Sequence, residues 1–275
     1  MTDARDPSIE GDLALALELA DEADRLSMSR FGAADLIVES KPDLTPVSEA
    51  DQAVERAIRD RLATDRPADG VLGEEYGSQG PASRQWIIDP IDGTKNYVRG
   101  VPVWACLIAL RVNGRVNVGV VSAPALSRRW WAARGFGAFV RDPATPGGRR
   151  ISVSAVTSIE NASFSFSDAT GWRERGAEAG LADLLGGTWR QRAYGDFWSH
   201  MLVAEGVVDV AAEPQLETYD MAALVPIVEE AGGRMTAFDG GPALVGGCAL
   251  TTNGLLHEAA LRLLAPRRPD IPPTP

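Results

Sequence analysis

The chain has 275 residues, of which 45% are hydrophobic, and its formal net charge at pH 7 is −11. This negative balance disfavours binding to nucleic acids and to anionic membranes, because like charges repel. No apolar run approaches the roughly 18 residues of a membrane-spanning helix. The polar, acidic start has no apolar signal segment behind it, so we expect a cytoplasmic location.

The first half of the chain predicts two helices and then an antiparallel sheet. Apolar residues at helical spacing predict a helix over residues 12–30. Ser48 then opens a second helix, with Asp51 at the capping-box position. Beyond residue 103, apolar runs around the turn Asn113-Gly114 predict an antiparallel meander. The segment 141–150 is rich in proline and glycine, which predicts a loop near a domain boundary.

The second half alternates between predicted strands and predicted helices, which is typical of an α/β unit. The strands are expected over 162–167, 189–193, 207–211, 234–238 and 249–252, and the helices over 180–185, 196–205, 220–231 and 255–264. We therefore predict an α/β fold in two halves. Residues 1–145 form an α+β half with an antiparallel sheet, residues 146–266 form an α/β half, and the proline-rich tail 267–275 is disordered.

The cysteines and histidines indicate no chemistry of their own. Cys106 and Cys248 lie far apart in separate apolar runs, which predicts two buried thiols rather than a disulfide. His200 and His257 are isolated from each other, so a histidine-rich zinc site is not expected.

Two aspartates follow the apolar run 86–88 directly, in an Asp-Pro-Ile-Asp-Gly-Thr motif. The run predicts a buried strand that the proline ends, so Asp89 and Asp92 would lie at a strand's carboxyl end, where α/β folds bind ligands. Gly93 and Thr94 could begin a helix whose N–H groups bind an anion. Carboxylates beside an anion need a cation between them, and Mg²⁺ prefers oxygen ligands. Two solvated aspartates at a strand end are the alternative.

Three further acids lie at the ends of predicted elements. Glu74 ends the apolar run 71–73, and a hairpin-like return would bring it beside Asp89. Asp51 and Asp220 open helices, where an acid also serves as an ordinary capping residue. Each position has this structural alternative, but five carboxylates meeting in one cleft would repel one another unless cations neutralised them.

These motifs together resemble the signatures of the inositol monophosphatase family. The resemblance is carried by Gly73-Glu74-Glu75, by the motif at 89–94 and by the segment 219–223, and it covers roughly residues 10–265. Tyr219 stands where the family usually has tryptophan. The resemblance implies a layered αβαβα sandwich and a phosphomonoesterase, commonly a homodimer, that uses Mg²⁺ to activate the water for in-line attack on a small phosphorylated metabolite.

A narrower resemblance is to the actinobacterial histidinol-phosphate phosphatases of this family. It is carried by the segments 41–47, 98–104, 128–135, 192–197 and 211–214. It implies hydrolysis of L-histidinol phosphate in histidine biosynthesis. An inositol-1-phosphatase or a broad sugar-phosphatase is the alternative enzyme. A regulatory binding protein that keeps the fold is a third hypothesis, which the intact acids and the negative charge disfavour.

The resemblance also implies roles for individual residues. Two or three Mg²⁺ ions would be held by Glu74, Asp89, the carbonyl of Ile91, Asp92, Asp220 and Asp51. The attacking water would be placed by Asp51, Glu74 and Thr94, and the phosphate would be bound by the amides of Gly93 and Thr94. The alcohol part of the substrate would be contacted by Asp196, Glu213, Arg192 and Asn253. A cationic amine or imidazole suits the two acids in this last set, although polyol hydroxyls do as well.

Overall fold

The structure, a computed structural model, describes residues 7–42 and 44–265. Its helices in this part of the chain are α1 (Pro7–Arg30), α2 (Glu49–Asp65), α3 (Thr94–Val98), α4 (Glu178–Gly187), α5 (Asp196–Ala204), α6 (Thr218–Ala222), α7 (Leu224–Glu230), α8 (Ala243–Gly246) and α9 (His257–Leu264). Its strands are β1 (Val38–Ser40), β2 (Pro46–Ser48), β3 (Gly70–Gly73), β4 (Gly77–Gln79), β5 (Arg84–Asp92), β6 (Ala105–Val112), β7 (Arg115–Ala123), β8 (Arg128–Ala133), β9 (Gly137–Asp142), β10 (Thr145–Arg150), β11 (Ser163–Ser165), β12 (Arg190–Arg192), β13 (Val210–Glu213), β14 (Arg234–Thr236) and β15 (Ala249–Thr252). The predicted disordered tail, 267–275, lies outside the described residues.

Two large sheets alternate with three helical layers. An eight-stranded sheet has the order β10-β9-β8-β7-β6-β5-β3-β4, and a five-stranded sheet has the order β12-β11-β13-β15-β14. Helices α1 and α2 cover the outer face of the larger sheet, and α4 and α9 pack outside the smaller one. Helices α5, α6 and α7 lie between the sheets. This arrangement confirms the predicted αβαβα sandwich.

The central strand β6 shows why the sequence forms these layers. Its side chains alternate between the two faces of the sheet, as the pleat requires. Ala105, Leu107 and Ala109 pack toward the middle helical layer, whereas Cys106 and Ile108 pack toward α1 and α2. Because helices cover both faces, residues 105–110 of the strand are all apolar and buried rather than alternating with polar residues. Both cysteines of the chain are buried free thiols, as predicted.

Four predicted elements of the fold differ from the observed ones. The helix expected from residue 12 begins at Pro7. The loop expected over 141–150 contains strand β10, which pairs with β9 at the edge of the larger sheet. The hairpin-like return before β5 is wrong, because β3 pairs with β5 in parallel and β4 forms the hairpin with β3. The helix expected over 220–231 is divided into α6 and α7, since Pro226 cannot donate a backbone hydrogen bond to the preceding turn.

The predicted division into an N-terminal half, 1–145, and a C-terminal half, 146–266, stays a prediction. The largest apolar core includes residues of both parts, because α5, α6 and α7 pack on the eight-stranded sheet. Over residues 7–42 and 44–265, the structure contains no helix with the length and apolar character that crossing a membrane requires.

Helix α5 contributes a buried histidine to the packing against β15. His200 is 1% exposed, and its Nδ1 lies 2.8 Å from the hydroxyl oxygen of Thr251. Its Nε2 has no hydrogen-bond partner among the residues that the structure describes. Burial lowers the pKa of His200 from 6.5 to about 4. The imidazole is therefore neutral in the folded chain at pH 7.

We expect this histidine to make the fold sensitive to acid. The unfolded chain takes up a proton at His200 below pH 6.5, whereas the folded chain does so only near pH 4, so stability is lost as the pH falls between these values. At pH 5 the loss amounts to about 2 kcal/mol of unfolding free energy. Urea unfolding without metal at pH 7 and pH 5 measures it. His200→Gln should lose less stability than the wild type over that interval, and an equal loss would contradict the assignment.

Candidate active site

Strand β5 brings Asp89 and Asp92 to one cleft through a one-residue bulge. Asp89 pairs with Leu107 and Asp92 with Ala105, so three steps along β5 match two steps along β6. In a regular strand, residues three apart point to opposite faces, and the extra residue removes that difference. Pro90 lies in the bulge, where its missing N–H leaves no ladder bond unmade. The proline therefore does not end the strand, as the sequence had predicted, but lies within it.

Asp220 reaches the same cleft from the middle helical layer. Carboxylate oxygens of Asp89, Asp92 and Asp220 all lie within 4.8 Å of one another. Asp220 is the third residue of helix α6, and its Oδ2 accepts the N–H of Glu217 at 2.7 Å in a capping box. Contrary to the prediction from the sequence, Asp220 is therefore not the residue that opens the helix, because the helix begins at Thr218 and Glu217 is its N-cap. Its capping-box bond uses only one of its two oxygens. The same carboxylate also belongs to the acidic cluster.

Asp51 repeats this arrangement at the start of α2. Its Oδ2 accepts the N–H of Ser48 at 2.8 Å and the Ser48 hydroxyl at 2.6 Å. The backbone N–H of Asp51 donates to the Ser48 side chain in return, which completes the predicted capping box. Its Oδ1 lies 3.2 Å from the hydroxyl of Thr94, which also lies 3.0 Å from the carbonyl oxygen of Ile91. One helix-capping acid is thus joined to the first residue of α3, just after β5.

The cluster is electrostatically strained without a cation. Burial, followed by the charges of Glu74, Asp92 and Asp220, raises the pKa of Asp89 well above its ordinary value. Burial, followed by the charge of Asp196, raises that of Asp92 in the same way. Burial raises the pKa of Asp220 to about 7. Close carboxylates cannot all ionise unless a positive charge lies between them.

A hard divalent ion fits this donor set. The three clustered acids, Asp89, Asp92 and Asp220, offer carboxylate oxygens only, and Asp89 is 1% exposed. Carboxylates suit Mg²⁺, Ca²⁺ or Mn²⁺, whereas zinc and copper sites usually include imidazole or thiolate. These three residues would hold the ion, and its charge would relieve the repulsion that raises their pKa values.

Glu74 approaches the cluster from the neighbouring strand. Gly73, the last residue of β3, pairs with Ile88, and the N–H of Glu74 donates to the Ile88 carbonyl at 3.2 Å. Parallel pairing therefore places Glu74 beside the end of β5. Lys41 holds this corner, because its Nζ lies 2.7 Å from carboxylate oxygens of both Glu74 and Glu75. Burial raises the pKa of Glu75 to about 7, although the bond from Lys41 opposes that rise.

Helix α3 begins at the candidate phosphate site. Gly93, its N-cap residue, has a φ of 84°, and a Cβ there would lie 3.0 Å from the Val103 carbonyl oxygen and 3.3 Å from a carboxylate oxygen of Asp196. Glycine is thus required by both backbone conformation and space. The N–H groups of the N-cap residue and of the first helical residues have no acceptor within the helix, so those of Gly93, Thr94 and Lys95 are available to an anion.

Asp196 and Glu213 meet beside the cluster through Ser167. The N–H of Asp196 donates to the Ser167 hydroxyl at 2.9 Å, and that hydroxyl donates to a carboxylate oxygen of Glu213. Asn96, on α3, donates to Asp196 at 3.2 Å. Burial raises the pKa of Asp196 to about 6 and that of Glu213 to about 8. Asp168 adds to this negative field, because its charge contributes to both shifts.

The middle helical layer also contacts the acidic cluster directly. The N–H of Phe197, in the first turn of α5, donates to Asp92 at 2.8 Å. Strand β5 and helix α5 are thereby joined at the cleft, so the acidic cluster and the neighbouring pair, Asp196 and Glu213, form one site.

The structure does not bring Arg192 and Asn253 to these acids through any described contact. Arg192 is exposed on the edge strand β12 and donates to the carbonyl of Gln191 at 2.7 Å. Asn253 lies at the opposite end of β13 from Glu213, and its amide donates to Ser154 at 3.0 Å and to a carbonyl at 2.8 Å. Their contact with substrate stays a prediction.

Sequence reasoning missed four residues of the site, for two reasons. Ser167, Asn96 and Asp168 act through partners between 28 and 100 positions away, and no local pattern marks such contacts. Lys41 lies in the segment 41–47, which carries the narrower resemblance, yet its pairing with Glu74 depends on how the chain returns to β3.

The chain matches the inositol monophosphatase family over residues 10–268. It is 58% identical to a histidinol-phosphatase of Mycobacterium tuberculosis, over 92% of this chain and 97% of the relative. It is 54% identical to a histidinol-phosphatase of Streptomyces coelicolor, over 95% and 99%. The solved structure of the extragenic suppressor protein suhB from Bartonella henselae is similar, with a TM-score of 0.84, 29% identity and coverage of 93% of this chain and 98% of the other.

The chain belongs to the inositol monophosphatase family. It is an enzyme, a phosphoric monoester hydrolase, and it acts on a small phosphorylated compound. These statements confirm the family and the class of enzyme predicted from the sequence.

Proposed function

We propose that the chain is a Mg²⁺-dependent phosphatase that hydrolyses L-histidinol phosphate to L-histidinol and phosphate. One observation carries the metal dependence: three carboxylates from two layers lie within 4.8 Å of one another. The substrate is supported by the names of the two relatives that are more than half identical to this chain. The homodimer and the cytoplasmic location belong to the same proposal and follow from the family resemblance and the sequence alone.

Different residues of the site would bind the phosphate and orient the attacking water. Bound Mg²⁺ would supply positive charge for the phosphate and an activated water. The amides at Gly93 and Thr94 would bind the phosphoryl oxygens. The hydroxyl of Thr94, which contacts Asp51 at 3.2 Å, would orient the attacking water. Glu74 would complete the ligand set after exchanging its ion pair with Lys41, in which the two atoms are 2.7 Å apart.

The acids next to the cluster match the other end of the proposed substrate. Histidinol phosphate carries an ammonium group and an imidazole, and Asp196 and Asp168 supply negative charge beside the Glu213 carboxyl on that side. Glu213 is 4% exposed, and its pKa of about 8 shows that an unpaired charge there is costly. A cation bound against Glu213 would favour the ionised form of this carboxyl group. The positively charged end of the substrate would therefore stabilise the carboxylate that binds it.

A substrate panel tests the proposal. Phosphate release is measured with histidinol phosphate, inositol 1-phosphate, fructose bisphosphate and a 3′-phosphonucleotide, each with Mg²⁺ and with EDTA. We expect the highest kcat/KM for histidinol phosphate and no turnover in EDTA.

Glu213→Gln should lower kcat/KM for histidinol phosphate by about tenfold or more and should affect inositol 1-phosphate less.

Two results would contradict different parts of the proposal. A higher kcat/KM for inositol 1-phosphate than for histidinol phosphate would contradict the proposed substrate and leave the phosphatase assignment intact. Phosphate release that persists in EDTA would remove the metal from the mechanism.

A further inference from the structure

Helix α2 carries a second acid that faces the site, one turn beyond Asp51. Glu55 follows Asp51 by four residues, so both lie on the same face of the helix. Its side chain is completely buried, with 0% exposure. Glu55 is not one of the three clustered carboxylates. The proposed chemistry therefore leaves a buried carboxylate without a function.

The partners of Glu55 belong to the turn that carries Glu74. Its carboxylate accepts the N–H of Glu75 at 2.7 Å and the N–H of Tyr76 at 3.2 Å. Arg59, one turn further along α2, donates to the same carboxylate at 2.7 Å and also to the carbonyl of Gly77. The turn between β3 and β4 is thus held by helix α2 and not only by its own strands.

Gly73 shows how closely the carboxylate approaches this backbone. A Cβ at Gly73 would lie 1.9 Å from Oε1 of Glu55, a distance that no side chain could tolerate. The glycine that precedes Glu74 is therefore needed to admit the carboxylate. Both neighbours of Glu74 in the sequence therefore contact Glu55. Gly73 packs closely against its carboxylate, and the N–H of Glu75 donates to it.

The remaining backbone contact of Glu74 faces the sheet. Its N–H donates to the Ile88 carbonyl at 3.2 Å, one residue before Asp89. The residue is thus fixed between β5 and α2, and its side chain is directed to the corner where Lys41 and the acidic cluster meet. Without an acceptor at position 55, two N–H groups of the turn lose their partner and the turn must rearrange to satisfy them.

We propose that Glu55 is a positioning residue that sets the affinity of the site for divalent metal by fixing the turn that carries Glu74. The inference rests on the proposed metal dependence and goes beyond it, because Glu55 acts through Glu74 and not as a ligand. Residues that orient metal ligands typically change metal affinity by about 10- to 100-fold when mutated.

The test is a direct measurement of Mn²⁺ binding. Mn²⁺ is titrated into metal-free protein and the free ion is followed by electron paramagnetic resonance, so the readout does not depend on activity. We expect Glu55→Gln, which keeps the shape but places an amide NH₂ against donor N–H groups, to raise the Kd about tenfold or more. The KM for Mg²⁺ in phosphate release should rise in parallel.

A matched variant separates positioning from general loss of stability. Ile58 lies on the same helix, is 0% exposed and packs in the core beneath the sheet. Ile58→Val should lower the Tm and leave the Kd for Mn²⁺ within about twofold of the wild type. If Ile58→Val weakens Mn²⁺ binding as much as Glu55→Gln does, the affinity follows stability and the inference is wrong.

The remaining outcomes are also decisive. A wild-type Kd in Glu55→Gln would overturn the inference and leave the proposed function standing. Absence of Mn²⁺ binding in the wild type would overturn both. If Glu55→Gln does not fold, Glu55→Asp is judged by the same criterion, because it keeps the charge but withdraws the carboxylate from the turn by one methylene.

Discussion

Replacing Asp89 with asparagine is expected to reduce phosphate release by about 10³-fold or more, on the order of 4 kcal/mol of transition-state stabilisation. Asp89 is the acid on which burial and the charges of Glu74, Asp92 and Asp220 act together. An amide there would remove one charged ligand and weaken the binding of any hard cation. The measurement is kcat/KM at saturating Mg²⁺, together with the Kd for Mn²⁺.

The same variant should fold as well as the wild type. A buried carboxylate with a raised pKa disfavours the folded state when it is ionised, and the amide removes that cost. Thermal unfolding in EDTA should therefore give a Tm no lower than that of the wild type. Asp60→Asn, on the exposed side of α2, is the matched control and should keep full activity. Near-normal turnover in Asp89→Asn would exclude Asp89 from the metal site.

Trp104→Ala is expected to cost about 3–5 kcal/mol of unfolding free energy. The indole is completely buried, and its ring lies 4.9 Å from that of Tyr97 and 5.3 Å from that of Phe31, centroid to centroid. The same apolar cluster contains Ile91, from the bulge of β5, and Ala50, next to Asp51. The cavity would open directly behind the acidic site, so metal affinity should fall together with stability.

Trp104→Phe is expected to cost much less than Trp104→Ala. The indole Nε1 has no hydrogen-bond partner among the described residues, so phenylalanine gives up packing but no such bond. Urea unfolding in EDTA measures both variants. Trp189→Ala, at a position that is 63% exposed, should change stability by less than about 0.5 kcal/mol. Equal losses in the two Trp104 variants would contradict this account of the cluster.

Local patterns place several of the candidate acids at the ends of strands and helices. The capping box of Ser48 and Asp51 can be read from four consecutive residues, and the structure has it. The apolar run 103–112 and the turn Asn113-Gly114 predict an antiparallel hairpin, and β6 and β7 form it. The resemblance to the family implies that Asp89 and Asp220, which are 131 positions apart, belong to one site.

Other features depend on which segments become neighbours, and no short pattern contains that information. The apolar run before Glu74 fits a parallel or an antiparallel partner equally well, and only the placement of β4 at the sheet edge decides between them. The contacts of Ser167 and Lys41 arise from this packing. Pro90 was expected to end the strand because proline usually disrupts a ladder, but a bulge can accommodate it.

The bulge in β5 also constrains how this sequence can vary. Trp86 packs under α1 and α2, whereas Asp92 points into the cleft. The number of residues between them determines the face of the sheet to which each side chain points. Deleting or inserting a single residue there would turn one carboxylate away from its neighbours while leaving every amino acid type in place. Homologues can therefore exchange one aliphatic residue for another in this stretch, but its length must be inherited unchanged.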